Sequence, residues 1–322
     1  MKKALITGIN GQDGSYLSEL LLEKGYEVHG ILKRNSVAEN QTARLDDVFN
    51  KINLEYADML DLASLNRVLE QVKPDEIYNL AAQSHVRISF DQPIYTTQVV
   101  AIGTLNILES MKLLCPNSRF YQASSSEMFG NSFDEDGFQR ETTPMHPTSP
   151  YGCAKVYGYN ITRNYRNSYN LFASNGILFN HESPRRGSNF VTNKVAKEAV
   201  RIKYGLTDKL LLGNLDATRD WGHAKDYVNC MWLILQQDTP DDFVCSTGIS
   251  HTVRELCEYV FGKLDLDYKD YVGVDQKYMR PEELTDLKGD SGKARWMLDW
   301  KHEYTFETML DEMIEHWNVI YG

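Results

Sequence analysis

The chain has 322 residues and a mass of 37.0 kDa, a length that suggests two domains of ordinary size. Hydrophobic residues make up 42% and charged residues 25%, which excludes a disordered or collagen-like chain. The net charge of -11 argues against nucleic acid or an anionic membrane as a general partner. The opening stretch MKKALITGINGQDG turns polar too early for a signal peptide, and no apolar run is long enough to span a membrane. We therefore expect a cytoplasmic protein.

The cysteines are scattered along the chain and lack the paired Cys-x-x-Cys spacing of zinc or redox sites. No metal site is predicted. We expect reduced thiols in the core at all five positions: Cys115, Cys153, Cys230, Cys245 and Cys257.

Short apolar runs alternate with helical patterns in the first half of the chain. The stretch KALIT predicts a first strand that stops at a glycine, and SYLSELLLEKG predicts the helix after it. The further predicted strands are YEVHGIL, LEYADM, EIYNLAA, RFYQASS and LFASNGILFN. Helical patterns such as LASLNRVLEQVK lie between most of them. This alternation predicts an α/β fold with a Rossmann-type, doubly wound parallel sheet covered by helices on both faces.

The alternation of short strands and helices ends at about residue 180, after which longer helical segments are separated by polar connections. We expect a dinucleotide-binding domain over residues 1–179 and a smaller, mostly helical substrate-binding domain over residues 180–322. Later segments such as residues 243–250 are expected to return to the first sheet. Because no Pro-, Gly- or Ser-rich linker separates the two parts, they should pack together and share a cleft.

The stretch TGINGQDG places Gly8, Gly11 and Gly14 between the first strand and the first helix. Glycine at this spacing allows a tight turn and lets the backbone approach a pyrophosphate, which the free amides of the helix N-terminus then stabilise. A simple glycine turn is the alternative. The residues expected to hold a cofactor here are Thr7, Gly8, Asn10, Gly11, Gln12, Asp13 and Gly14.

The second predicted strand leads into basic rather than acidic residues, in the stretch YEVHGILKRNS. An acidic residue at this point typically selects NAD, whereas the cations of Lys33 and Arg34 suit the 2'-phosphate of NADP. NADP is therefore the predicted cofactor, bound in part by Lys33, Arg34, Asn35 and Ser36. The alternative is a solvated basic turn.

In the stretch SPYGCAK, Tyr151 and Lys155 are four residues apart at the start of a predicted helix. This spacing puts the phenol and the ammonium group on one helical face, where the lysine and a nicotinamide ring should lower the pKa of the phenol. The stretch ASSSE supplies Ser125, whose hydroxyl could share the proton of a substrate alcohol. It also supplies Glu127, two residues later on a predicted extended strand end, so both side chains should point to the same face.

These motifs together resemble the extended short-chain dehydrogenase/reductase family, and within it the GDP-mannose 4,6-dehydratases. The matching stretches run nearly from end to end: ALITGINGQDGSYL, YNLAAQSHV, ASSSEMFG, SPYGCAK, GILFNHESPRRGSNFVT, LGNLDATRDWGHAKDYV and RPEELTDLKGD. The stretch after the second strand differs, since the family's usual Arg-Arg-Ser-Ser is KRNS in this chain.

The resemblance implies a role for each matching position. Ser125 stands where the family usually has Thr, Glu127 at its catalytic base, and Tyr151 and Lys155 at its redox pair. The further positions implied to bind the cofactor are Asp58, Met59, Leu80, Ala81, Ala82, Gln83, Ser84, Tyr95, Tyr151, Lys155, His181 and Arg186. Those implied to bind the substrate are Ser84, Ser125, Glu127, Asn180, Asn189, Val191, Lys194, Arg219, Arg280 and Glu283.

The resemblance implies a lyase that removes water from GDP-mannose with a tightly held NADP, acting as a homodimer or homotetramer. A related GDP-sugar, such as a GDP-mannoheptose, stays open as the substrate. A nucleotide-sugar reductase or epimerase of the same family is an alternative that would need Tyr151 and Lys155 but not Glu127. A non-catalytic NADP-sensing or scaffold protein is the alternative from another class, and it could lose the tyrosine and lysine.

Overall fold

The computed structural model describes residues 1–35, 41–279 and 281–322. In chain order, its strands are β1 (Lys3–Thr7), β2 (Glu27–Leu32), β3 (Asn53–Tyr56), β4 (Glu76–Asn79), β5 (Arg119–Ser125), β6 (Ala173–Leu178), β7 (Asn180–Glu182), β8 (Leu210–Leu212), β9 (Thr218–His223), β10 (Asp242–Cys245), β11 (Ser250–Thr252) and β12 (Val272–Val274).

The helices are α1 (Gln12–Glu23), α2 (Leu62–Val72), α3 (Val86–Asp91), α4 (Pro93–Thr97), α5 (Gly103–Leu114), α6 (Pro150–Tyr169), α7 (Val191–Lys203), α8 (Ala224–Gln236), α9 (Val253–Gly262), α10 (Tyr268–Tyr271), α11 (Gly292–Leu298) and α12 (Phe306–Tyr321). A π-helical turn joins α4 to α5. Among the described residues, no helix is long and apolar enough to cross a membrane.

The main sheet confirms the predicted architecture. Its seven strands are parallel and run in the order β10-β6-β5-β4-β1-β2-β3. The chain builds outward from β1 in one direction through β2 and β3, and in the other direction through β4, β5 and β6. The order therefore reverses between β1 and β4, and the crevice outside the carboxyl ends of these two strands is where such sheets bind ligands.

Helices cover both faces of this sheet, which explains why β1 is buried at every position after Lys3. Leu5 and Ile6 are adjacent on β1 and fully buried, yet they belong to different hydrophobic clusters. Ile6 lies in the cluster that includes residues of α1 and α8, whereas Leu5 lies in the cluster of α2 and α5. Helix α8 thus packs with the sheet, although it follows residue 180. The domain boundary itself stays a prediction.

A second group of elements lies beside the sheet. Strands β11, β9 and β7 form a small mixed sheet, and β12 pairs with β8 in parallel. Helices α7, α9 and α12 enclose a hydrophobic cluster that includes Val195, Leu256 and Met313. The ring of Trp221 on β9 stacks on Phe306 at the start of α12, with centroids 6.0 Å apart. These contacts hold β9 and the start of α7 against the sheet's carboxyl edge.

The prediction for the cysteines is wrong at three positions. Cys230 on α8 and Cys245 on β10 form a disulfide, and Cys153 is exposed rather than part of the core. Cys115 and Cys257 are buried free thiols, as expected. The two bonded positions are separated by 15 residues and come together only because α8 packs beside β10, which the cysteine spacing could not indicate.

The glycine turn after β1 is closely packed. Gly8 has a φ of +69°, a left-handed conformation that a glycine adopts without strain. Gly14 lies in the first turn of α1, where a Cβ atom would be 2.6 Å from the Gly8 carbonyl oxygen and from backbone atoms of Ile9. Gly11 has more room, because the nearest atom to its Cβ would be 3.2 Å away. A Cβ on Gly8 would also be 3.0 Å from backbone atoms of Ala81, so packing restricts Gly14 most, Gly8 next and Gly11 least.

We predict that Gly14→Ala lowers the free energy of unfolding by about 1–3 kcal/mol, because the added methyl group meets backbone that cannot move aside. The matched variant Gly11→Ala should cost less than about 1 kcal/mol, since a shift of a few tenths of an ångström relieves its contact. Chemical denaturation of both variants measures the difference. Equal stability of the two variants would contradict the packing described for the turn.

Candidate active site

A cleft of about 1010 Å³ lies at the carboxyl edge of the main sheet. Its walls come from the turn after β1, the segment after β4, the end of β5, the start of α6 and the start of α7. These are elements far apart in the sequence that meet at the reversal of the strand order. The cleft is therefore the place where the sequence-predicted site residues can act together.

Helix α6 begins at the cleft because of its local sequence. The Ser149 hydroxyl accepts a hydrogen bond from the Gly152 amide at 3.0 Å, and Pro150 occupies the first helical position. Tyr151 and Lys155 then lie one turn apart on the face toward β5. The Lys155 ammonium donates to the Ala123 carbonyl oxygen at 2.6 Å and lies 5.6 Å from the centroid of the Tyr151 ring.

Burial dominates the electrostatics of this pair. It raises the pKa of the Tyr151 phenol well above its usual range, and a hydrogen bond with Ser125 opposes the rise. It lowers the pKa of the Lys155 ammonium to about 8, with the charge of Asp13 opposing. In the chain alone, burial thus outweighs the groups that lower the phenol pKa, and the lowering expected beside a nicotinamide ring stays a prediction. A further positive charge in the cleft would be needed to favour the phenolate.

The segment that carries Glu127 is not the extended strand end that was predicted. Strand β5 ends at Ser125, and the next three residues form a 3₁₀ turn. The Ser125 hydroxyl accepts the Glu127 amide hydrogen at 3.3 Å and so caps this turn. Glu127 nevertheless lines the cleft and is only 6% exposed. Helix α6 approaches it so closely that a Cβ on Gly152 would be 2.7 Å from the Glu127 carbonyl oxygen.

Most of the predicted cofactor residues lie along one half of the cleft. The predicted residues that line it there are Gly8, Asn10, Gly11, Gln12, Asp13, Gly14, Leu80, Ala81, Ala82, Ser84, His181 and Arg186. The first amides of α1 have no acceptor within the helix, so the turn can hold an anionic group. This half of the cleft therefore fits a dinucleotide.

Other predicted cofactor residues shape the cleft without lining it. Thr7 is fully buried, and its hydroxyl accepts from the amides of Leu80 and Ala81, each at 3.0 Å. It ties the end of β1 to the segment after β4. The Gln83 side chain is bonded to the His85 backbone, and Met59 is buried in the core.

A separate polar cluster forms beyond the end of β2. The Lys33 ammonium donates to the Tyr95 hydroxyl at 3.0 Å and lies 3.2 Å from a carboxylate oxygen of Asp58. Arg34 and Asn35 are exposed next to it. The structure thus brings together Lys33, Asp58 and Tyr95, three residues predicted from distant stretches. Ser36, which was predicted with them, lies outside the described residues.

The predicted substrate residues line the other half of the cleft, at the N-terminus of α7 and on β9. Those in the lining are Asn180, Asn189, Val191, Lys194, Arg219 and Glu283. A guanidinium nitrogen of Arg219 lies 3.1 Å from a carboxylate oxygen of Glu283, and the Lys194 ammonium donates to the Leu211 carbonyl oxygen at 2.6 Å. Arg280 lies outside the described residues. Basic side chains are thus concentrated here in an otherwise acidic chain.

Sequence reasoning missed several residues that line the cleft. His85 directly follows the predicted Ser84 and accepts the Ile88 amide hydrogen at 3.3 Å, and its ring lies 5.2 Å from Phe190. Tyr278 lies under the Lys194 ammonium, 3.9 Å from its ring centroid. His85 lies within the matching stretch YNLAAQSHV, and Tyr278 lies two residues before RPEELTDLKGD. Their position within or beside a matching stretch was the signal that could have identified them.

We predict that Lys155→Met changes the pH dependence of stability in the ligand-free protein. Because the folded pKa of Lys155 is about 8 against an ordinary 10.5, the unfolded chain binds more protons between these values, and burial of the ammonium destabilises the fold below them. The free energy of unfolding of the variant, relative to that of the parent, should therefore be higher at neutral pH than at high pH by on the order of 3 kcal/mol. Thermal unfolding across the pH range measures this, and a difference independent of pH would contradict it.

Solved structures of known proteins share the fold. The UDP-glucose 4-epimerase from Thermotoga maritima, solved with UDP-glucose, is 23% identical with a TM-score of 0.87 and covers 99% of this chain and 100% of its own. RMD from Pseudomonas aeruginosa, solved with NADPH, is 21% identical with a TM-score of 0.83 over 99% of this chain and 100% of its own. Similarity at this level shows the fold alone.

Sequence relatives are much more similar. GDP-mannose 4,6 dehydratase 2 of Arabidopsis thaliana is 52% identical over 98% of this chain and 86% of its own length. The human GDP-mannose 4,6 dehydratase is 49% identical over 97% of this chain and 90% of its own. The family profile described as GDP-mannose 4,6 dehydratase matches residues 5–313. The resemblance seen in the sequence is confirmed, and this chain belongs to the GDP-mannose 4,6-dehydratase family.

Proposed function

We propose that this protein converts GDP-mannose to GDP-4-keto-6-deoxymannose and water, with no net oxidation or reduction. The observation that carries the proposal is the meeting of Glu127 with Ser125, Tyr151 and Lys155 in one cleft, beside the glycine turn. A buried carboxylate next to a redox pair supplies a base for elimination, which oxidation alone does not need.

The glycine turn and the start of α1 would hold the pyrophosphate of a nicotinamide cofactor, which we propose to be NADP. When bound, the nicotinamide would supply a hydride acceptor for C4 of the sugar and a hydride donor for C6. Its positive ring would also add the charge that favours the Tyr151 phenolate, against the effect of burial. The cations of Lys33 and Arg34 support NADP over NAD, since a 2'-phosphate needs a positive partner.

Tyr151 takes the proton of the sugar C4 hydroxyl as that carbon is oxidised. Ser125, which acts against the rise in the Tyr151 pKa, offers a second contact to the same hydroxyl. Lys155 fixes the distance between α6 and β5 through its bond to the Ala123 carbonyl oxygen. At the end of the cycle, C5 takes up a proton and Tyr151 gives up the proton that it holds, which restores the phenolate.

Glu127 acts between these two steps. The keto group at C4 acidifies the proton on C5, and Glu127 removes that proton. The bond between C6 and its oxygen breaks, and Glu127 gives the proton to the departing hydroxyl to form water. Because the same carboxylate acts first as a base and then as an acid, it is ionised again at the end of the elimination.

The nucleotide-sugar half of the cleft supports a diphosphate. The N-terminus of α7 opens into it with Asn189 and Val191, and a helix N-terminus favours an anion. Arg219 and Lys194 add positive charge on the neighbouring wall. The relatives that match along nearly their whole length are named for GDP-mannose, which favours it over another GDP-sugar or over a reductase or epimerase.

Three further predictions remain proposals. The first is the division of the chain after residue 179 into cofactor and substrate domains. The second is a homodimer or homotetramer, supported by exposed apolar side chains on α4, α5 and α6, namely Ile94, Leu113 and Tyr157. The third is a cytoplasmic location.

We predict that Glu127→Gln lowers overall turnover by at least about 100-fold, the lower range for loss of a positioned acid-base group. The substitution keeps the size of the side chain but removes the base, so C4 oxidation should survive while C5 deprotonation fails. The near-ultraviolet absorbance of reduced nicotinamide should therefore appear on mixing with GDP-mannose, with little loss of water by mass spectrometry. Tyr151→Phe is the matched variant and should show neither signal.

Dehydration by the Glu127→Gln variant at nearly the original rate would place the base elsewhere. Loss of both signals in both variants, with folding intact, would mean that Glu127 is needed before the elimination, and the assignment of separate steps would fail.

We predict that Arg34→Ala weakens NADP(H) binding at least about tenfold while NAD(H) binding changes little, because only NADP(H) carries the 2'-phosphate that a charged hydrogen bond would hold. Lys33→Met is the comparison, since Lys33 is already bonded to Asp58 and Tyr95. Isothermal titration with both cofactors measures the preference. Equal affinity of the unmutated protein for the two cofactors would overturn the assignment of NADP.

A further inference from the structure

The two residues between the last glycines of the turn, Gln12 and Asp13, reach across the cleft with their side chains. The Gln12 amide donates to the His181 carbonyl oxygen at 3.0 Å and accepts from the Ser183 hydroxyl at 2.8 Å. An oxygen of Asp13 lies 2.9 Å from the outer ring nitrogen, Nε2, of His181. The first turn of α1 is therefore bonded to β7 and the segment after it by side chains as well as by packing.

The contacts of His181 determine its charge. Its Nδ1 lies 2.7 Å from the Phe179 carbonyl oxygen, and its Nε2 lies 2.9 Å from Asp13. Neither partner can donate a hydrogen when Asp13 is ionised, so both ring nitrogens must donate. A neutral imidazole carries only one N–H, whereas the imidazolium carries two. The geometry thus requires a positively charged, largely buried His181.

The charges around the pair support this state. Burial raises the pKa of Asp13, but the charge and hydrogen bond of His181 outweigh it and hold the pKa at about 2. Burial lowers the pKa of His181, but Asp13 outweighs it and leaves that pKa raised. Arg186, from the segment after β7, also faces the pair and opposes the rise in the His181 pKa, and the Tyr227 ring of α8 is stacked 4.6 Å from the imidazole. The Gln12 amide donates to Asp13 at 3.0 Å. From α6, Lys155 and Tyr151 are close enough for the Asp13 charge to raise the pKa of each.

We propose that Asp13 is a positioning residue that keeps His181 as a buried imidazolium facing the cofactor half of the cleft, so that His181 contributes to cofactor binding through its charge. This inference rests on the proposed function, because it takes the ligand of that half to be NADP(H). Both ring nitrogens are already bonded within the protein, so His181 has no N–H left for the cofactor in this geometry. What it offers to a nearby anion is a positive charge that offsets the Asp13 carboxylate lining the same half of the cleft.

The pH range follows from the direction of both pKa values. A raised pKa at His181 means that the pair stabilises the fold below the ordinary histidine pKa and loses this effect as pH rises through the folded pKa. The low pKa of Asp13 means that its contribution is lost only as pH falls toward about 2. The charge on His181 should therefore persist to a higher pH than that of an ordinary histidine. Without the Asp13 carboxylate, burial would discharge the ring at lower pH.

The charge state can be measured directly by nuclear magnetic resonance of the full-length, cofactor-free protein with labelled histidines. His181→Gln assigns the resonance. We expect His181 to keep imidazolium shifts as pH rises past the ordinary value of about 6.5, and to titrate at or below that value in Asp13→Asn. A neutral His181 in the unmutated protein at about pH 7 would overturn the proposal. The measurement on the unmutated protein does not depend on the cofactor or on the folding of any Asp13 variant.

Cofactor affinity tests the consequence. The comparison is the Kd of Asp13→Asn for NADP(H) divided by that of the unmutated protein, because titration of Lys155 and of the cofactor's 2'-phosphate affects both proteins. This ratio should rise about fivefold to tenfold from about pH 5.5 to about pH 8, as His181 loses its charge in the variant only. Ser183→Ala is the matched control, because it removes an uncharged bond from the same contact with Gln12. Its effect on Kd should not vary with pH.

A flat pH profile of this Kd ratio for Asp13→Asn would overturn the proposal and leave the pair as a structural clamp only. Failure of the unmutated protein to bind NADP(H) would contradict the proposed function instead, and the resonance of His181 would show separately whether the imidazolium exists.

Discussion

The close packing of the glycine turn against the end of β4 is the constraint on which the rest of the structure depends. The hydroxyl of Thr7 bonds the two segments together at the reversal of the strand order, and Gly14 lets α1 start directly above the turn. Because α1 starts there, its free amides and the Gln12 and Asp13 side chains face the cleft. The position of β7, and through it of the substrate half, follows from those side chains.

Burial and local charge act against each other throughout the cleft. The chain is acidic overall, yet the cleft contains a concentrated set of basic side chains. Burial disfavours the charged forms of both Tyr151 and Lys155, since it raises the pKa of the first and lowers the pKa of the second. A cationic nicotinamide ring would reverse that tendency at Tyr151 only while it is bound in its oxidised form. The electrostatics of the site would thus favour proton uptake by Tyr151 when the oxidised cofactor is bound.

The sequence was sufficient for features with local or periodic signals. Strands such as KALIT, the glycine turn and the helix that carries Tyr151 and Lys155 depend on near neighbours in the chain, and these were predicted. The pairing of Cys230 with Cys245 and that of Arg219 with Glu283 depend on how distant elements pack, so spacing could not indicate them. Glu127 was correctly placed at the cleft for a wrong reason, because alternation along a strand does not describe a 3₁₀ turn.

The central claim is that hydride leaves C4 and returns to C6 of the same sugar. Incubation of the purified protein with GDP-mannose that carries deuterium at C4 tests this directly, with mass and nuclear magnetic resonance analysis of the product. The account predicts a product that has lost one water and carries the deuterium at C6. Loss of water with the deuterium released to solvent or retained on free cofactor, or no loss of water at all, would contradict it.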